Sequence, residues 1–295
     1  MPSTKCTTRA VRARLAGKAA LLGVALSACA APNTIAQMTT RPADPAANLS
    51  ATRASPVIEL RQYTLHPGRR DDLIRLFDAE FIEPQESAGI TVIGQFRTLD
   101  DPNKFVWLRG FPDMESRRRS LQTFYTGTAW RSRRTDANAT IIDNDNVLLL
   151  RPANADAGFD LTGLQRPPVG ATSAGNGLVV ATIYHLDPTA EKEREFVHFF
   201  DASVLPILRS AGAEVIATLL PEPSANTFPG LPVREGEHVF IWFSRFPDVA
   251  AHERFLATLA ATPIWRDSLS VELSSRVREP FTLRLSPTAR SLIHD

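Results

Sequence analysis

The sequence predicts an α+β protein built from two tandem copies of one βαββαβ unit, packed sheet to sheet. The first observation is an internal repeat, in which residues 105–113 (FVWLRGFPD) match residues 240–248 (FIWFSRFPD). The second is hydrophobic periodicity, which changes between a strand period and a helix period along each copy. The third is the length of 295 residues, which suits two domains that each bury a core.

The elements of the first copy follow from this periodicity. Val57 to Leu65 alternates as a strand does, and Leu73, Phe77 and Phe81 then recur at helical spacing, with Pro84 predicted to end that helix. Two strands are expected at 90–97 and 104–110, a second helix from an Asp113 cap to about Phe124, and a last strand at 147–150. This is the order of the ferredoxin-like unit.

The predicted boundaries place domain 1 at 56–152, a Gly-, Ala- and Pro-rich linker at 153–177 and domain 2 at 178–287. Each unit leaves one sheet face bare, so the two copies are expected to cover each other's bare face. The second copy also has a long loop, Pro221 to Glu237. Such a loop either covers something or is an elaborated surface hairpin.

The N-terminus has the features of an export signal. Residues 1–28 combine several basic residues with the apolar run AALLGVALS at 19–27, which is too short for a membrane anchor. Leu26 to Cys29 (LSAC) resembles the lipobox of bacterial lipoproteins, which implies lipidation of Cys29 and a tether at 29–55. Two alternatives stay open: ordinary signal cleavage, which gives a soluble periplasmic protein, and a mitochondrial transit peptide, against which the continuous apolar block argues.

These features predict a location and exclude several functions. We expect a lipoprotein of the bacterial cell envelope, at the outer membrane and facing the periplasm, with a soluble folded body attached to the membrane through Cys29. The formal net charge of +1 gives no indication of nucleic-acid binding. With Cys6 in the leader and Cys29 lipidated, the body retains no thiol for disulfides, metal binding or catalysis.

The first copy resembles the NIPSNAP family over about Val57 to Pro152. The resemblance rests on IELRQYTL at 58–65, on Phe111-Pro112-Asp113 with the arginines that follow, and on Trp130. It implies a dimeric α/β-barrel architecture, here within one chain. The wider superfamily includes cofactor-independent monooxygenases, haem-degrading enzymes and binding modules, so the resemblance implies no single reaction.

The candidate ligand-binding residues of the first copy lie on two strands. Alternation places Glu59, Arg61 and Tyr63 on one face of the first strand, and Trp107 and Arg109 share a face of the third. We expect this polar face to point into the barrel, where it could hold a small anionic or aromatic ligand. The competing interpretation is that Glu59 and Arg61 neutralise each other and hold the sheets in register.

The second copy carries Tyr184, Trp242 and His252 as further candidates. Trp242 and His252 are spaced like the Trp and His of haem-degrading enzymes in the superfamily, although Thr182 stands where those enzymes use Asn. A lone helical His is more often exposed to solvent than a ligand. We therefore expect no metal and no cofactor, with haem as a minor possibility, and we expect Arg117-Arg118-Arg119 to form a solvated face.

Two functional hypotheses remain from the sequence. The favoured one is a binding module that uses the inter-domain cleft for a small molecule or a protein partner. The other is a cofactor-independent monooxygenase or a haem-handling enzyme. The first is preferred because no paired acid and base, and no iron ligand in a suitable setting, can be identified.

Overall fold

The computed structural model describes residues 55–294, except for the side chain of Glu279. The predicted signal peptide, the lipidation site Cys29 and all but the last residue of the tether lie outside the described residues. The strands are β1 Val57–Leu65, β2 Thr91–Thr98, β3 Lys104–Phe111, β4 Ile141–Asp143, β5 Val147–Pro152, β6 Leu178–His185, β7 Glu214–Pro221, β8 Val239–Phe246 and β9 Arg278–Pro287. The helices are α1 Arg70–Glu80, α2 Ile82–Ser87, α3 Met114–Thr126, α4 Thr128–Asn138, α5 Ala190–Phe199, α6 Leu205–Ser210, α7 Val249–Ala261 and α8 Ser270–Arg276.

The strands form an antiparallel sheet that closes into a barrel. Its order is β3-β2-β9-β6-β8-β7-β5-β1, and β1 pairs back onto β3, while the short β4 pairs with the end of β1. Two seams, β2–β9 and β5–β7, join strands from the N-terminal half, 57–152, to strands from the C-terminal half, 178–287. The α+β class and the closed sheet were both predicted.

Both halves show the same order of elements, apart from the added β4. A strand, a helical segment, two hairpin strands, a second helical segment and a final strand follow one another in each. One detail differs from the sequence prediction. Pro84 does not end the first helical segment, because the chain turns at Phe81 and Pro84 lies in the first turn of α2, where its missing N–H costs nothing. Asp113 does cap α3, and its carboxylate accepts from the Ser116 N–H.

The barrel interior is filled by aliphatic side chains with a few phenylalanines. Ile58 and Leu60 of β1 point inward and are fully buried, as are Leu108 of β3 and Ile241 of β8. Eight strands give an interior just wide enough for side chains to fill, and buried apolar side chains fill most of it here.

The facing of β1 is opposite to the prediction. Glu59, Arg61 and Tyr63 point outward, beneath the helices, and Tyr63 packs in the aromatic layer that includes Phe77 of α1. Because side chains alternate strictly along a strand, assigning the wrong face to one residue reverses all of them. The compact aliphatic residues suit the narrow barrel, whereas the long polar side chains need the wider space between sheet and helices.

The predicted linker, 153–177, is folded onto the barrel. Phe159 is 2% exposed and its ring meets that of Phe243 edge to face, with centroids 5.1 Å apart. Leu161 and Leu164 pack against the same core. This stretch is therefore part of the core as well as a connection between the halves.

The chain also stays ordered beyond the predicted end of domain 2. The Gln95 N–H donates to the Ser291 hydroxyl at 3.1 Å, and the Ile293 N–H donates to the Ile93 carbonyl at 3.2 Å. Ile293 is buried in the barrel core. Within residues 55–294, no helix combines the length and the apolar character needed to cross a membrane.

Candidate functional site

Four charged side chains meet between the sheet and the helices of the N-terminal half. The Glu59 carboxylate accepts from Arg61 Nη1 at 2.8 Å, from Arg109 Nε at 2.7 Å and from Arg117 Nε at 2.7 Å. All four side chains have 0% exposure. We call Glu59, Arg61, Arg109 and Arg117 the arginine cluster.

Strand register and a helix cap together position the arginine cluster. In the β1–β3 pairing, Glu59 lies opposite Arg109, and Arg61 lies opposite Trp107. Arg117 comes from the first turns of α3, one turn after the Asp113 cap, and reaches down onto the sheet. Each guanidinium therefore approaches the carboxylate from a different direction.

The arginine cluster strongly favours the ionised carboxylate. Burial alone raises the pKa of Glu59, but the charges of Arg109, Arg61 and Arg117 outweigh burial and hold its pKa far below the usual range. Glu59 is therefore an anion at neutral pH.

The charges in the arginine cluster do not balance. Three guanidinium groups share one carboxylate, which leaves a buried excess of two positive charges. Arg61 Nη2 and Arg117 Nη2 are buried without a hydrogen-bond partner among the described residues. Uncompensated buried charge is costly, so a bound anion would stabilise this arrangement.

An aromatic cavity of about 400 Å³ lies beside the arginine cluster. We call it the first pocket. Its walls are largely aromatic and come from α1, the turn after α1, β3, α3 and α4: Phe77, Phe81, Trp107, Phe124, Tyr125 and Trp130. The volume falls in the range of small-molecule sites.

Two hydrogen-bond donors connect the arginine cluster to the first pocket. Arg61 Nε donates to the Tyr63 hydroxyl at 3.0 Å, which leaves the proton of that hydroxyl free to be donated in turn. Trp107 lines the same cavity, and its Nε1 is buried without a partner among the described residues. Burial raises the pKa of Tyr63, so the phenol keeps its proton. The first pocket therefore offers donors in a positive field, a setting that suits an anionic or carbonyl oxygen.

The long loop between β7 and β8 covers the first pocket. Arg117 Nη1 donates to Asn226 Oδ1 at 3.0 Å, and the Thr227 hydroxyl donates to the Met114 carbonyl at 2.9 Å. Phe228 stacks on Tyr125 with ring centroids 6.0 Å apart. Of the two interpretations left open for this loop, the structure supports the covering one.

The environment of Arg117 differs from the prediction. Arg118 and Arg119 are exposed, as expected of a solvated face, but Arg117 is fully buried. The signal was present in the sequence, because Arg117 shares the helical stripe of Leu121 and Phe124, both buried. Gln85, whose Oε1 accepts from Arg109 Nη1 at 3.3 Å, was also missed.

The candidates of the C-terminal half meet in a cavity of their own. Tyr184, Trp242 and His252 all line a space of about 590 Å³ between the outer face of the sheet and helices α7 and α8. We call it the second pocket. His252 was expected to be solvent-exposed, but it is 6% exposed and packs against Phe246 with ring centroids 4.9 Å apart.

The two pockets are matched by strand register. Val180 pairs with Ser244 as Glu59 pairs with Arg109, and Thr182 pairs with Trp242 as Arg61 pairs with Trp107. The first pocket is lined by the N-terminal half and by Phe228 and Leu231 of the β7–β8 loop, whereas the second is lined by the C-terminal half. A further cavity of about 510 Å³ is lined by residues of both halves, among them Gln62, Lys104 and Arg234.

Comparison with known proteins identifies one family. Residues 58–155 match the model of the NIPSNAP family. A NIPSNAP family protein from Agrobacterium tumefaciens is 22% identical over 32% of this chain and 86% of its own, with a TM-score of 0.31. No curated protein matches the sequence.

Two solved structures are similar over most of the chain. A candidate monooxygenase from Fusobacterium nucleatum is 9% identical, with a TM-score of 0.51, and the match covers 80% of this chain and 93% of the other. An anthrone oxidase-like protein is 13% identical, with a TM-score of 0.52 and coverage of 79% and 92%. At these identities the similarity establishes the fold, which is of the dimeric α/β-barrel type.

Proposed function

With a NIPSNAP domain at 58–155 as the starting point, we propose that this protein is a binding module whose first pocket takes a small aromatic molecule with an anionic oxygen. The observation that carries the proposal is the buried excess of positive charge in the arginine cluster, beside an aromatic cavity. The ligand rings pack against Phe77, Trp107 and Phe124. Its oxygen accepts from Tyr63 and Trp107, and the guanidinium groups behind them stabilise its charge.

Calorimetric titration with 2-naphthoate and with 2-naphthylmethanol tests this proposal, because the two probes share their rings and differ in charge. We expect the first pocket to prefer the carboxylate. Tyr63→Phe removes one donor to a charged group and should weaken naphthoate binding about tenfold or more.

Tyr184→Phe is the matched control, since Tyr184 holds the same register position in the other half. It should leave naphthoate binding unchanged. If naphthoate does not bind, or if both substitutions have the same effect on it, the first pocket is not an anion site.

The alternative is a cofactor-independent monooxygenase, and one observation favours it. The donors and positive charge that would hold an anionic ligand would also stabilise the enolate or phenolate that such chemistry forms. Oxygen uptake with anthrone separates the two functions: a binding module leaves the rate at its protein-free value, whereas an oxygenase raises it and loses that rate in Tyr63→Phe.

The haem alternative rests on Trp242 and His252, which line the same cavity. The described residues around that cavity offer little for the two carboxylates of haem, because the lining arginine, Arg284, is already paired with Asp100. Titration with haemin tests this directly. A Soret shift that disappears in His252→Ala would establish haem binding.

We also propose that the matching element orders reflect a duplicated NIPSNAP-type unit, and that Cys29 anchors the protein at the outer membrane, facing the periplasm. The apolar run at 19–27, followed by Ala28 and Cys29, supports export and lipidation. Mass spectrometry of the mature N-terminus tests this. Cys29 carrying acyl chains is the expected result, and an unmodified N-terminus elsewhere contradicts it.

A further inference from the structure

We propose that the second pocket is a separate binding site for an uncharged, mostly apolar molecule that carries a hydroxyl or carbonyl oxygen. The cavity of about 590 Å³ lies within the size range of ligand sites and is larger than the first pocket. The protein would thus bind two ligands of different charge.

The first argument is the loss of charge at matched positions. Uncharged residues stand at the positions of the arginine cluster in the C-terminal half. Val180 corresponds to Glu59, Thr182 to Arg61, Ser244 to Arg109 and His252 to Arg117. The side chains at these positions are shorter than those of the arginine cluster, and the cavity is larger. At these four positions the second pocket therefore lacks the buried guanidinium groups that would stabilise an anion in the first.

The second argument is the chemistry of the walls. Leu208, Phe255, Leu259 and Leu273 are each buried and line the cavity together with Trp242. Trp265, another lining residue, begins a π-helical turn, Trp265–Leu269, between α7 and α8. Such turns are frequent at functional sites. The walls therefore favour an apolar body.

The third argument is an unpartnered polar atom that belongs to a lining residue. Ser244 is 1% exposed, and its hydroxyl has no hydrogen-bond partner among the described residues. A buried hydroxyl left unsatisfied is unfavourable, and a ligand oxygen would satisfy it. Burial, and then the charge of Arg284, lower the pKa of His252, so its imidazole is neutral at neutral pH and can also bond an uncharged ligand.

The charges at the rim do not attract an anion. Arg284 lines the cavity, and its Nε bonds Asp100 at 3.1 Å, so a carboxylate already pairs with its charge. Glu253, also a lining residue, adds a negative charge.

Calorimetric titration with 2-naphthylmethanol tests the proposal in the intact protein. Ser244→Ala should weaken binding about three- to tenfold, the effect of one neutral hydrogen bond. Leu256→Trp should abolish binding, because Leu256 lines the cavity and is 48% exposed, so a larger side chain there closes the entrance without disturbing the core. Tyr63→Phe should leave binding of this probe unchanged.

Three results would overturn the proposal. They are no binding of 2-naphthylmethanol, binding that Leu256→Trp leaves intact, and a haemin complex that requires His252. If Ser244→Ala binds the probe as tightly as the unsubstituted protein does, the Ser244 hydroxyl does not contact the ligand. The first pocket is tested with naphthoate and Tyr63→Phe, and the second with 2-naphthylmethanol and Ser244→Ala. Failure of one proposal is therefore distinguishable from failure of the other.

Discussion

At the scale of single residues, Glu59 holds the N-terminal half together. Among the described residues it is the one carboxylate bonded to three buried guanidinium groups. Each of these guanidinium groups also contacts other parts of the structure. Arg109 lies 4.9 Å above the Trp107 ring, and Arg117 holds the β7–β8 loop through Asn226. Loss of the carboxylate would leave three cations buried without an anion.

We expect Glu59→Gln to lower the free energy of unfolding by about 3–5 kcal/mol, the cost of breaking a buried ion pair from one side. Urea denaturation followed by tryptophan fluorescence measures this. Glu115→Gln is the control, since Glu115 pairs with Arg118 on the exposed face of α3 and its loss should have little effect. Equal stabilities of the two variants would show that the arginine cluster does not need its carboxylate.

A second carboxylate gives a dependence on pH. Burial raises the pKa of Asp78 to about 6, although Arg290, Arg97 and Arg166 act in the opposite direction. Its ordinary value is 3.8. Between these values the folded state binds more protons than the unfolded state, so the stability contributed by Asp78 is highest below the lower value and falls as pH rises to about 6.

We therefore expect Asp78→Asn to remove a fall in stability between about pH 4 and pH 6, most visibly as a higher urea midpoint above pH 6. Denaturation series across this pH range, at constant ionic strength, provide the measurement. Glu80→Gln removes an exposed carboxylate from the same helix and should keep the pH profile of the unsubstituted protein. An unchanged profile in Asp78→Asn would refute the assignment.

At the scale of elements, periodicity predicted most of what the structure contains. Local sequence pattern predicted four strands, β1, β2, β3 and β5, and the Asp113 cap of α3. These features depend on residues that are close together in the sequence. Which face of β1 meets the helices could not be predicted, since both faces are buried and alternation alone does not separate inside from outside. The contact between Arg117 and Asn226, 109 residues apart, depends on barrel closure and has no local signal.

The β7–β8 loop should control how long a ligand stays in the first pocket. Phe228→Ala removes the stacking on Tyr125, and we expect naphthoate to dissociate faster, by up to about tenfold. Stopped-flow displacement measures the rate. Phe281→Ala, on an exposed part of β9, is the control and should not alter it. An unchanged rate in Phe228→Ala would mean that the loop does not retain the ligand.

At the scale of the whole molecule, the barrel depends on parts that belong to neither predicted domain. Phe159, from the predicted linker, and Ile293, from beyond the predicted end, both lie in the barrel core. Composition alone could not show this, because one aromatic residue within a Gly- and Pro-rich stretch does not produce a periodic pattern.

We expect Phe159→Ala to destabilise the whole barrel by about 3–5 kcal/mol, as a large cavity in a core does. Fluorescence from both halves should report one common transition. Val169→Ala, at an exposed site in the same stretch, should have no measurable effect. If Phe159→Ala also leaves the free energy of unfolding unchanged, residues 153–177 serve only as a connection.

The seams β2–β9 and β5–β7 join two halves that are covalently one chain. In a symmetric homodimer of such halves, every mutation appears twice, so both sites would gain or lose a charge together. Joining the halves in one polypeptide removes this constraint. A substitution in one pocket then leaves the other pocket unchanged, so selection can act on each pocket separately.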